Sequence, residues 1–269
     1  MDLIHPIFKW LHVIAGIMWI GLLYFFNFVN TAFAPTMDGE TKKKVVPELM
    51  PRALYWFRMG AAWTWVTGVV LLYVIYWAGG MMPEDFTSNE ITGEPANMSI
   101  HVLLLFTFVA VFLYDAIYKS PLASNVRAVT IVSFLLIGAY VFAMQKLGGF
   151  GYRAVNIHLG ALFGTNMAFN VWFRIWPAQQ KIINAIKNGE APDADLLALA
   201  GLRSKHNTYL SVPLVWTMHN QHHVTAPTFL GIPDEFSWLL PMIMVIIGWH
   251  LVFQLYKKSA KTVSYTHLR

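Results

Sequence analysis

The chain has 269 residues, of which 57% are hydrophobic and 12% charged, with a net charge of +5 and no cysteine. So little charge excludes an ordinary soluble domain, and long apolar runs without two-residue alternation exclude a barrel, which leaves an all-α, polytopic transmembrane helical bundle. The missing cysteines exclude disulfides, iron–sulfur clusters and thiolate metal centres, so a metal or cofactor must be held by His, Met, carboxylate or backbone.

Seven spans are predicted, at about 3–33, 54–78, 98–118, 126–146, 152–176, 207–223 and 236–256. The first starts almost at Met1, lacks a basic n-region and cleavage site, and is expected to stay in the product. Lys42, Lys43, Lys44 and Arg52 fall between the first two spans, Lys119 and Arg127 between the third and fourth, and Arg174, Lys181, Lys187, Arg203 and Lys205 between the fifth and sixth. The positive-inside rule makes those loops cytoplasmic. Residues 79–97 agree, carrying Glu84, Asp85, Glu90 and Glu94 without Lys or Arg. The N-terminus is therefore expected outside and the C-terminus, with Lys257, Lys258 and Lys261, inside. The basic balance reflects this topology and calls for membrane lipid, not nucleic acid.

One insertion, 177–206, has structure of its own. Pro177 can open a helix with Ile182, Ile183 and Ile186 on one face and Asn188-Gly189 at its close. A second short helix, capped by Asp193 or Asp195, then carries Leu196, Leu197, Leu199 and Leu202, and the pair reads as a hairpin on the bilayer surface. Gly160 and Gly164 have the small-xxx-small spacing that lets helices approach closely. The glycines of 148-GGFG-151 follow a helix, so they do not form a dinucleotide loop. The transmembrane domain is expected to cover 1–262, and 263-VSYTHLR-269 reads as an artefactual, adapter-like tail beyond which the natural protein continues.

Depth along the predicted helices follows from a rise of about 1.5 Å per residue. His12 lies roughly 12 Å in from the outer end of its span, His158 roughly 9 Å and His250 roughly 18 Å. His219 and His222 sit near the outer end of the sixth span, His101 at the outer mouth of the third, and His206 at the cytoplasmic edge. One intramembrane His is as readily a hydrogen bond between helices as a ligand. Four on four helices, His12, His158, His222 and His250, suit a haem, an iron porphyrin that takes neutral imidazoles axially and fits among Phe, Trp and Leu. His219, His222 and His223 share a face that zinc would accept, although a wet His cluster at a helix end is the simpler account. The thirteen methionines are scattered, as core filling requires, and do not argue for copper. Asn27 with Asn30, and Asn166 with Asn170, have helical spacing suited to packing hydrogen bonds or to a polar cavity. Arg153 and Asn156, one turn outward of His158, could hold a flat anion; Arg153 also suits an interfacial anchor.

Three segments, FKWLHVIAGIMWIGLLYFFNFVN, YRAVNIHLGALFGTNMAFNVWFRIWPAQQK and RSKHNTYLSVPLVWTMHNQHH, resemble the membrane domain of the bacterial membrane-bound, cytochrome c-linked urate oxidases, or urate hydroxylases. The likeness runs to about Lys261, and RSKHNTYLSVP is its most specific part. Members have eight predicted spans and a C-terminal c-type cytochrome domain, whereas this sequence has seven predicted spans and no Cys-x-x-Cys-His. Either the record is truncated or electrons leave to a separate cytochrome c. The resemblance implies oxidation of urate to 5-hydroxyisourate in the bacterial inner membrane, with electrons passed through haem to a fused or separate cytochrome c. The family's His positions correspond to His12, His158, His206, His222 and His250. The ligands are expected among His12, His158, His222 and His250, and substrate contacts among Arg153, Asn156, His206 and Asn207; no catalytic residue is singled out. Two readings from other classes stay open: a non-catalytic b-type cytochrome subunit and a metal transporter.

Overall fold

A computed structural model describes residues 3–77, 98–220, 231–233 and 236–259. Among these the chain is helical and contains no strand. Helix α1 (Ile4–Tyr24) widens into a π turn at Phe25–Asn30 and stops at Pro35 in the tight turn Ala34–Thr36. Helix α2 (Gly39–Leu72) leads into a second π turn, Tyr73–Trp77. Then come α3 (Met98–Ile117), α4 (Val126–Lys146) and α5 (Tyr152–Asn170), which passes through a third π turn, Val171–Ile175, into α6 (Trp176–Asn188). Helices α7 (Ala194–His219) and α8 (Leu239–Ser259) complete the chain.

The backbone contacts divide into two units, and the division falls inside helices. One unit is Met1–Lys9, Thr67–Asn166 and Pro213–Gly248; the other is Trp10–Val66, Met167–Val212 and Trp249–Arg269.

Four helical stretches are long and apolar enough to cross a membrane: Ile4–Thr36, Gly39–Trp77, Val126–Lys146 and Leu239–Ser259, with a shorter apolar helix at His101–Ile117. At most 28% of each apolar window is buried, so their apolar faces point outward, as lipid solvation requires. On α1, Ala15, Trp19, Leu23 and then Asn27 form the buried stripe at four-residue spacing, while Trp10, Val13, Ile14 and Ile17 are exposed. Helices α5 and α7 are too polar to join the four, yet α5 is buried almost without break from Ala154 to Gly160.

Helix α2 begins far ahead of the expected 54, although Pro47 and Pro51 lie within it. Asp38 caps it, with the Thr41 backbone N–H and Oγ1 each donating to the carboxylate at 2.8 Å, and these bonds hold the carboxyl below the usual carboxylate range. Arg52 pairs with Glu48 one turn back. The lysines that suggested a loop are therefore the polar start of a helix. Two turns beyond Pro51 on the same helix, Arg58 lays its guanidinium 3.6 Å from the centre of the Trp176 ring, tying α2 to α6.

The insertion also differs from expectation. Pro177 stands in the first turn of α6 and Gly189, with φ +76°, closes it. Asp193 caps the next helix, accepting from the Asp195 and Leu196 amides. That helix is not short: α7 runs on to His219 through Pro213. Ala178, Ile182 and Ala200, with Ile186 and Leu196, give the hairpin an apolar core, which favours continuing the two long helices over laying separate ones down.

The small-residue pair on α5 is asymmetric. A Cβ on Gly160 would overlap Thr217 Oγ1 and lie 2.7 Å from the Met218 methyl, whereas one on Gly164 would meet Leu214 at an ordinary 4.0 Å. Gly160→Ala is expected to lower stability by about 1–3 kcal/mol. Gly164→Ala should leave it nearly unchanged; thermal unfolding of both variants in detergent checks the contrast.

Candidate functional site

Polar groups concentrate in two places, one in each unit. In the first, α5 carries His158, wholly buried between the rings of Tyr76, Trp77 and Phe150. Its Nδ1 lies 2.8 Å from the Ala154 carbonyl and its Nε2 lies 3.3 Å from Trp77 Nε1. An indole N–H only donates, so Nε2 carries the lone pair and the proton sits on Nδ1, donated to the carbonyl.

Two residues along a helix is a rotation of about 200°, so Asn156 occupies the opposite side of α5 from His158. Asn156 is wholly buried and donates to the Tyr152 carbonyl at 2.8 Å. Tyr152 in turn receives hydrogen bonds from Asn156 and Asn220. The Asn156 carbonyl oxygen has no hydrogen-bond partner among the described residues. Arg153 is half-buried beside this group.

The second place is the buried face of α7. Arg203, Asn207, Thr208 and Ser211 are at most 1% exposed, and half-buried Ser204 joins them at helical spacing. Asn27 Nδ2 donates to Ser204 Oγ at 2.8 Å and to the Leu23 carbonyl at 2.9 Å, while the Tyr256 hydroxyl donates to Asn27 Oδ1 at 2.9 Å. Tyr24 and Ser211 share a hydrogen bond of 3.0 Å. Asn170 donates to Asn207 Oδ1 at 2.9 Å, and Asn207 donates to the Met167 carbonyl at 3.0 Å. His206 is half-buried beside the charges of Arg203 and Lys205.

The remaining sequence candidates separate. His12 is half-buried and hydrogen-bonded to the Thr64 backbone. His250 lies on the exposed face of α8, 2.9 Å from Gln254. His219 is exposed and bonded to the Val215 carbonyl at 3.0 Å, while His222 and His223 lie outside the described residues. Among the described residues no three His, Asp or Glu side chains gather as a metal centre.

Several participants had not been anticipated. Ser204, Thr208 and Ser211 had a signal, being hydroxyls at helical spacing inside RSKHNTYLS. Tyr24, Tyr256 and Trp77 had none, because their roles arise from packing between distant helices.

Asn27→Leu strands the Tyr256 hydroxyl and Ser204 and should cost about 1–3 kcal/mol. Tyr256→Phe should cost about 1 kcal/mol. A double-mutant cycle by thermal unfolding in detergent should give a coupling energy of at least about 0.5 kcal/mol between Asn27 and Tyr256.

Comparison with known proteins gives a single kind of match: neither a curated protein nor a solved structure matches this chain. The family model described as Urate oxidase N-terminal matches residues 1–268, nearly the whole length. The chain therefore belongs to the urate oxidase N-terminal family and is an enzyme related to urate oxidation.

Proposed function

We propose that this protein oxidises urate to 5-hydroxyisourate in a bacterial inner membrane, N-terminus outside, and passes the electrons through haem to a cytochrome c. The family match over residues 1–268 carries this reading. Urate and water become 5-hydroxyisourate, two protons and two electrons, so each turnover reduces two cytochromes c, whether fused or separate.

The donor chemistry of His158 suits an iron porphyrin. Its Nδ1–H is fixed by a backbone carbonyl, the support that ligating imidazoles commonly have, and apolar rings surround it. His12 has a similar backbone tether at Thr64. His158 would hold the haem, which when bound accepts electrons one at a time. His222 and His250 remain in the proposed ligand set with less to support them, His250 being exposed.

For substrate, Asn207 has the strongest support of the expected residues. Beyond its bonds to Asn170 and the Met167 carbonyl, the Asn207 amide keeps a second N–H and a second carbonyl lone pair, a donor and an acceptor side by side that match an imide edge of urate, and the nearby Arg203 guanidinium offsets the anion's charge. His206 completes this polar end of α7, and Arg153 with Asn156 forms the alternative group for substrate.

The purified protein with oxidised cytochrome c should convert urate; a full haem complement without conversion would overturn the urate reading in favour of a plain b-type cytochrome. Asn207→Ala is expected to raise KM for urate about tenfold with haem content unchanged. His158→Ala should abolish the haem Soret band, and an unchanged band would remove His158 from the ligands.

A further inference from the structure

We propose that Trp77 is a latch on His158, a positioning residue whose indole N–H caps the Nε2 lone pair until a stronger acceptor of that pair displaces it. The proposal rests on the reading of His158 as a haem ligand. Three observations carry it. The two hydrogen bonds of His158 fix the tautomer with Nε2 as acceptor, the form an iron needs, and Trp77 Nε1 occupies that nitrogen's direction at 3.3 Å. The rings lie within 18° of parallel with centroids 6.5 Å apart, so the indole approaches edge to edge, in the imidazole plane where the lone pair lies. Trp77 is 36% exposed whereas its neighbour Tyr76 is 4% exposed, so the indole sits at the edge of the core, with Phe108 against it.

Trp77 lies in the π turn Tyr73–Trp77, where the wider helical register aims the indole at His158. Iron binding at Nε2 would require this hydrogen bond to break. The latch holds the imidazole in the correct tautomer and orientation while the site is empty, and lowers its affinity for iron in return.

The test uses haem-depleted, full-length protein in detergent, titrated with ferric protoporphyrin IX and followed by absorbance. Trp77→Phe, which cannot donate, should bind about fivefold more tightly than the native protein. Replacing Trp77 by 3-benzothienylalanine keeps the shape of indole without its N–H and should give the same gain, which guards against a packing effect of the smaller ring. Ultraviolet resonance Raman spectra of the native protein should lose the hydrogen-bonded indole signal of Trp77 as porphyrin is added. Affinities of both variants within twofold of native or weaker, with His158→Ala unable to bind, would overturn the latch and leave the ligand reading standing. Native affinity in His158→Ala would overturn the ligand reading and the latch with it.

Discussion

In a water-poor bundle a buried amide must be met by protein groups, and Asn27 is met on both its nitrogen and its oxygen. Its hydrogen bonds reach the carbonyl of Leu23 on α1, Ser204 on α7 and Tyr256 on α8. Rotating any of these helices away would leave a buried polar group without a partner, at a cost larger than most apolar contacts repay. Once Ser204 is turned toward Asn27, the helical period turns Asn207, Thr208 and Ser211 toward the interior with it. The buried cation Arg203 follows from the same rotation. One side chain therefore fixes which face of α7 turns inward.

The distribution of polarity is the reverse of that in a soluble protein. Helices rich in Leu, Ile, Val and Trp show those residues outward, while the polar helix α5 is buried and α7 turns its polar face inward. In lipid this is the stable arrangement, since apolar side chains lose nothing by facing hydrocarbon and polar ones gain only by facing each other. It also places the groups proposed to bind substrate and haem where the dielectric is low and hydrogen bonds discriminate most. The packing and the proposed chemistry thus draw on the same residues.

Much of this was legible from the residues alone. The helical class follows from composition, and α4 spans 126–146 as its apolar run requires. Pro177 and Gly189 bound α6 by backbone chemistry that is local and therefore readable. The start of α2 was hidden because three consecutive lysines describe solvation, not backbone conformation, and the cap at Asp38 is what decides the matter. The continuity of α7 was hidden because Arg203, Lys205 and His206 mark a polar edge, which describes solvation and does not interrupt the helical backbone. In the site, depth placed His158 and His250 equally well, but depth has no azimuth: one ring is wholly buried and the other exposed. The partner of His158, Trp77, comes from 81 residues away and leaves no local trace.

Among the described residues, three one-turn widenings, at Phe25–Asn30, Tyr73–Trp77 and Val171–Ile175, depart from α geometry. Each acts as a phase shifter, because the extra residue in a wide turn offsets everything beyond it by roughly 100° of azimuth. Excising one residue from Val171–Ile175 would swing the Trp176 ring off the Arg58 guanidinium, and excising one from Tyr73–Trp77 would carry the indole off the imidazole. Length in these three short stretches is therefore under tighter geometric control than side-chain identity is along the lipid-facing helices around them.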